Sequence, residues 1–218
     1  MDKTDLSLVV TTYDQDISFL PGLVESIFKS LNPPSQLVVV ASGLTEVPSI
    51  KVPDGVLMTS CCISTRINQA CARNIGIKLS KRKLVCFHDV DDLSHPLRFM
   101  LIDKVFKQDP GIDFVIHGYT LNRDDLDADF GALGINIDYH LTKSDKMRGL
   151  VSSSGIPLHN SHLTVHKKAL DHAGIFFDES TKAFRYEDSI MTESLLDSGL
   201  LGIGLLLPLV YYRPSNSR

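Results

Sequence analysis

Residues 83–92 read Lys83-Leu84-Val85-Cys86-Phe87-His88-Asp89-Val90-Asp91-Asp92. The opening KLVCF is a short apolar run of the kind that forms a strand buried on both faces. It leads directly into three carboxylates. Ligands of open α/β sheets bind beyond the carboxyl ends of the strands, so an acidic cluster at this point is where chemistry is expected. In extended chain Asp89 and Asp91 project to one side with Cα atoms about 6.5–7 Å apart, while Asp92 faces away. Two carboxylates so placed suit one hard cation together with oxygens of its ligand, and an all-oxygen donor set favours Mg²⁺ or Mn²⁺ over Zn²⁺. A lone D-x-D is common by chance and usually just a solvated turn. Here three like charges close a buried strand, and a cation is the simplest compensation. His88, beside them, reads as a buried, hydrogen-bonded ring.

Upstream, residues 6–12 (LSLVVTT) form a β-branched apolar run, and residues 21–31 carry Leu23, Val24, Ile27, Phe28 and Leu31 at helical spacing. Pro33 and Pro34 stop that helix; residues 36–40 (QLVVV) give a second strand ending in Ser42 and Gly43. A weaker strand at 56–58 precedes a helix over 65–79. Downstream, Ser94 is expected to cap a helix with Pro96 in its first turn and Leu97, Met100, Leu101 and Val105 on its apolar face. Strands alternating with helices predict an α/β fold with a mostly parallel central sheet flanked by helices. The second half is irregular: strands at 114–121 and 162–166 bracket a stretch rich in Asp, Gly and Ser, of a length that suits a cover over substrate. The chain is read as one domain over 1–218, with a nucleotide-binding half at about 1–93 and an acceptor-side half at about 94–218.

Composition narrows the class. The 218 residues are 43% hydrophobic and 22% charged, as in a globular protein. A formal charge of −4 argues against general nucleic-acid binding. Cys61, Cys62, Cys71 and Cys86 match neither a zinc spacing nor a secreted disulfide framework, which points to reduced thiols in the cytoplasm. Residues 200–212, the most apolar segment, contain Gly202, Gly204 and Pro208 and fall short of the roughly 20 residues a bilayer requires. A buried strand is expected there, with no intrinsic membrane span.

Several segments together resemble the inverting GT-A glycosyltransferases of family 2. LSLVVTTYD (6–14) is similar to that family's first strand, CARNIGI (71–77) to its donor-side helix, FHDVDD (87–92) to its D-x-D strand end, and YEDSIMTESLLDSG (186–199) to its late Glu-Asp helix start. The closing VYYRPSNSR (210–218) is similar to its last strand and tail. The resemblance spans nearly the whole chain and implies the GT-A fold. It further implies Thr11, Thr12, Tyr13, Asp14, Arg73, Asn74, Asp89 and Arg213 as donor-binding residues. Asp91, with Asp89, would hold Mn²⁺ or Mg²⁺; Asp188 would be the catalytic base, with Glu187 second; His159 and Asn160 would face the acceptor. Two departures stand out. The second strand ends in Ala41-Ser42-Gly43 where the family has an acidic pair, which leaves UDP-, dTDP- and GDP-linked donors open. The family's C-terminal His is missing, which assigns Arg213 to the diphosphate.

The implied reaction is transfer of a hexosyl or deoxyhexosyl group from a nucleotide diphosphate sugar to a hydroxyl of a glycan or glycoconjugate, for glycan biosynthesis. The alternatives are a non-catalytic nucleotide-sugar or glycan-binding domain of the same fold, and a phosphatase using the Asp-x-Asp strand end. The phosphatase motif sits on a first strand, and this one is late. A nucleotidyltransferase would need a glycine-rich loop after the first strand, which this sequence lacks.

Overall fold

The alternation of residues 4–13 sets the frame. In the computed structural model, which describes residues 3–127, 141–143, 162–180 and 186–213, Thr4–Tyr13 forms strand β1. Its pleat sends Leu6, Leu8 and Val10 to one face and Val9 to the other, and all four are buried. β2 (Pro34–Ser42) and β4 (Leu84–Asp89) flank β1 in parallel, and β3 (Leu57–Ile63) continues the sheet beyond β2. On the far side of β4 come β8 (Thr164–His166), β6 (Phe114–Thr120), β9 (Gly202–Tyr211) and β5 (Leu93–Ser94), with β7 (Leu141–Lys143) also paired to β9. β8 runs antiparallel to both β4 and β6. The parallel pairings extend over six to eight registered residues and the antiparallel ones over two or three, so the sheet is mostly parallel.

Helices cover both faces. α1 (Leu20–Phe28) and α3 (Arg98–Gln108) bring Leu23, Ile27, Ile102 and Val105 against the Leu8 face. α2 (Gln69–Leu79), α4 (Lys167–Ala173) and α5 (Glu187–Asp197) bring Ile77, Leu170, Met191 and Leu195 against the Val9 face. α2 lies close to β1 because residue 76 is glycine: a Cβ there would overlap Val9. That approach sets the depth of Arg73, one turn earlier on α2.

Several boundaries differ from the sequence expectation; α1, for one, ends at Phe28, and Leu31 beyond it is exposed. α2 begins at Gln69 and not at 65, because the Asn68 side chain accepts the Cys71 N–H at 2.7 Å and fixes the start there. Ser94 is not a helix cap. Residues 93–94 pair with β9, and His95 N donates to Leu209 O at 3.0 Å, so the backbone is committed to the sheet until α3 opens at Arg98. The third strand runs to Ile63, well past 58. The apolar 200–212 segment is indeed a buried strand, with its register against β6 shifting at Gly118 and Pro208, where proline has no N–H for the ladder. Among the described residues no helix is long and apolar enough to cross a membrane.

Candidate active site

β1 and β4 end side by side, with Thr11 opposite Asp89. Their carboxyl ends therefore open onto one cleft, lined by Thr11, Tyr13, Asp16, Gln69, Asp89, Asp91 and Tyr212 among others. Asp89 and Asp91 share it for a reason other than strand pleat. β4 stops at Asp89, the chain turns through Val90 and Asp91, and Asp92 N donates back to Asp89 O at 3.3 Å. The same turn buries Asp92, whose Oδ1 accepts the Arg213 N–H at 3.0 Å and whose Oδ2 lies 3.4 Å from His162 Nε2. Burial, reinforced by Asp89, pushes the Asp92 carboxyl up to about 9 against the pull of the Arg213 N–H. His88 is a buried ring, as expected, with Nδ1 2.9 Å from Asp89 O; burial and the nearby Arg98 lower its pKa to about 3, so it is neutral.

Beneath the cleft lies Arg73, 2% exposed and carried by α2. Its Nη2 donates to Asp89 Oδ1 at 3.0 Å, its Nη1 donates to Asp188 Oδ1, and Glu187 Oε1 is 3.7 Å from the same Nη1. Burial opposes the charge on this guanidinium, but Asp188, Asp89 and Glu187 together raise its pKa. Asp89 Oδ1 also accepts from Gln69 Nε2 at 2.7 Å, so two donors one helical turn apart on α2 fix one carboxylate oxygen. Asp188 and Glu187 stand in the first turn of α5. Burial pushes the Asp188 carboxyl up to about 6, with Asp89 and Glu187 adding to the rise and Arg73 opposing it. A larger groove lined in part by Leu20, Val24, Phe28, Ile50 and Val52 shares no residue with this cleft.

No protein-family model matches the chain. It is 27% identical over 114 residues to an uncharacterized glycosyltransferase of Haemophilus influenzae, a match covering 51% of this chain and 38% of that relative. The structure of S. aureus TarS 1–349 in complex with UDP-GlcNAc superposes with a TM-score of 0.72 at 16% identity, covering 100% of this chain and 60% of that one. Mannosyltransferase PcManGT from Pyrobaculum calidifontis, in complex with GDP-Man and Mn²⁺, superposes with a TM-score of 0.64 at 17% identity, covering 99% and 59%. The chain has a GT-A glycosyltransferase fold. It spans less than two thirds of the length of each of these proteins.

Within this GT-A fold the expected residues divide. Thr11, Tyr13, Asp89 and Asp91 line the cleft. Thr12 is buried and its Oγ1 donates to Tyr13 O at 3.2 Å; Asp14 is exposed just beyond β1, beside the turn that Gly43 makes with a φ of 78°. Asn74 faces the scaffold instead: its Nδ2 donates to Phe177 O and Glu179 Oε1, and its Oδ1 accepts the Phe177 N–H. Arg73, expected among the donor-binding residues, has the carboxylates of Asp89, Glu187 and Asp188 as its partners. The Arg213 guanidinium lies 4.5 Å from the Phe19 ring centre. His159 and Asn160 fall outside the described residues, as does most of the irregular stretch and the tail from 214. Asp16, Gln69 and Tyr212 were not among the expected site residues. Tyr212 lies within the quoted tail segment 210–218, and Gln69 stands four residues before Arg73 on one helix face.

The cleft's donor set fits a hard cation. Asp89 and Asp91 contribute carboxylate oxygens with no thiol or imidazole among the described lining residues. Among the described residues no three His, Cys, Asp or Glu side chains converge to hold a metal alone. A cation here would need further oxygen ligands from outside these side chains.

Proposed function

We propose that the protein is an inverting, metal-dependent glycosyltransferase that moves a sugar from a nucleotide diphosphate donor onto an acceptor hydroxyl. One observation carries this reading: a single buried guanidinium joins Asp89 of the cleft to Asp188 at the start of α5. In this reading a donor-side carboxylate and a candidate base flank one reaction centre. The UDP-GlcNAc bound by TarS and the GDP-Man and Mn²⁺ bound by PcManGT support nucleotide-sugar donors and a divalent ion for this chain too. UDP-, GDP- and dTDP-linked hexoses or deoxyhexoses are the candidate donors, and a glycan or glycoconjugate the acceptor.

In this reading Thr11, Thr12, Tyr13 and Asp14 hold the nucleoside, Asp89 the ribose or the cation, Asp91 the cation, and Arg213 the diphosphate. Mg²⁺ or Mn²⁺, when bound there, supplies the Lewis acidity that makes the diphosphate a competent leaving group. Asp188 removes the proton of the acceptor hydroxyl as its oxygen attacks the anomeric carbon; the bond to the diphosphate breaks on the opposite face, inverting the configuration. A carboxyl with a pKa of about 6 is mostly ionised at neutral pH and still a stronger base than an ordinary aspartate. Glu187 is the second candidate, and His159 and Asn160 are assigned to the acceptor. The proposed location is the cytoplasm.

Incubation with UDP-, GDP- and dTDP-sugars and Mn²⁺, reading nucleoside diphosphate release and the anomeric configuration of the product, tests this. Metal-dependent release with inversion is expected. Binding without release for every donor would leave a non-catalytic domain, and retention of configuration would remove Asp188 as the base.

A further inference from the structure

The cleft holds an electrostatic imbalance. Its lining includes the carboxylates Asp16, Asp89 and Asp91, and among the described lining residues there is no lysine or arginine. A nucleotide sugar brings a doubly negative diphosphate into that space, and one divalent cation does not offset the sum. Arg73 cannot supply the difference, because it is buried and already serves Asp89 and Asp188. Arg213, assigned to the diphosphate above, rests on Phe19 and supplies one positive charge, which does not by itself close the difference.

Arg66 is placed differently. It is exposed in the short segment between β3 and α2, and its guanidinium carbon stands 4.8 Å from the centre of the Tyr13 ring, which itself lines the cleft. A guanidinium stacked on an aromatic face is held by its plane while its edge N–H groups stay able to donate, an arrangement suited to phosphate. We infer that Arg66 is a donor-binding residue that uses the Tyr13 ring as a platform and pairs with the donor's diphosphate. This rests on the glycosyltransferase reading above. No motif drew attention to the residue, since Arg66 lies outside the CARNIGI segment.

The role separates from mere support of Tyr13 by comparing ligands with and without phosphates. In calorimetric titrations with Mn²⁺, the wild type is offered UDP, GDP and dTDP and the matching nucleosides, and the titrations are repeated on Arg66→Gln and Arg66→Lys. Arg66→Gln should weaken the preferred nucleoside diphosphate about tenfold, as expected for one partly exposed charge-assisted contact, and leave the nucleoside unchanged. Arg66→Lys should recover part of the loss. Equal weakening of diphosphate and nucleoside would reduce Arg66 to a prop for the ring and overturn the inference, as would an unchanged diphosphate affinity. A wild type that binds no nucleoside diphosphate would overturn the glycosyltransferase reading itself, and this one with it.

Discussion

The Arg73 guanidinium donates to Asp188, linking α2 to the first turn of α5 across 115 positions of sequence. The same group also holds Asp89, so one guanidinium ties the cleft to the proposed base. The site is therefore organised around a buried cation of the protein's own, in addition to any metal it takes up.

Replacing Arg73 tests that organisation. Arg73→Met should destabilise the fold by about 3 kcal/mol, because Asp89, Glu187 and Asp188 would be left part-buried without their counter-charge. Arg73→Lys should recover only part of this, since an ammonium lacks the planar fork that reaches two carboxylates. Urea denaturation measures both; a loss below about 1 kcal/mol for Arg73→Met would show that the cluster contributes little.

Asp188→Asn keeps the shape of the side chain and removes its basicity. Nucleoside diphosphate affinity should change by less than about threefold, while turnover falls by about 10²–10⁴, the range general-base catalysis supplies. Full turnover in the variant would move the role to Glu187.

The pH dependence follows from the raised carboxyl of Asp188. Below about pH 6 the group is protonated and cannot accept a proton, so kcat should fall on the acid side of that value and level off above it. Arg73 favours the charged form, so in Arg73→Gln this acid limb should shift to higher pH. A profile flat from pH 5 to 8 would argue against Asp188 as the titrating base.

Asp91→Ala should weaken Mn²⁺-dependent donor binding by at least about tenfold, and chelation should abolish turnover in the wild type. Donor affinity that is the same with and without EDTA would remove Asp91 and Asp89 from any metal role.

Away from the site, Gly76→Ala measures how tightly α2 is pressed on the sheet. Alanine favours the helix by about 1 kcal/mol, but its Cβ would overlap Val9, and overpacking of this kind costs about 1–3 kcal/mol. Net destabilisation in a thermal melt is expected; a stabilised variant would mean that α2 can lift without cost.

Much of the frame was legible because it is local. Hydrophobic period and length are properties of ten-residue windows, so β1, β4 and β9 could be read from the apolar runs at 6–12, 83–87 and 200–212. Errors arose where a distant partner competed with a local signal. Ser94 has the chemistry of a cap, but its pairing with β9, more than a hundred residues on, prevails. Asn74, expected from its motif among the donor-binding residues, has its amide bonded to residues 177–179, contacts more than a hundred positions away that no local window shows.

By itself the sequence determined the class of the fold and the position of an acidic cluster at a strand end, since both depend on neighbours along the chain. Tertiary structure alone decided what each charge faces. Asp91 lines the cleft while adjacent Asp92 is buried beneath Arg213 N–H, and Arg73 meets carboxylates from β4 and α5. The physical reason is that the energy of a charge depends on the groups within a few ångströms of it, and those are brought together by the packing of α2 and α5 against one face of the sheet.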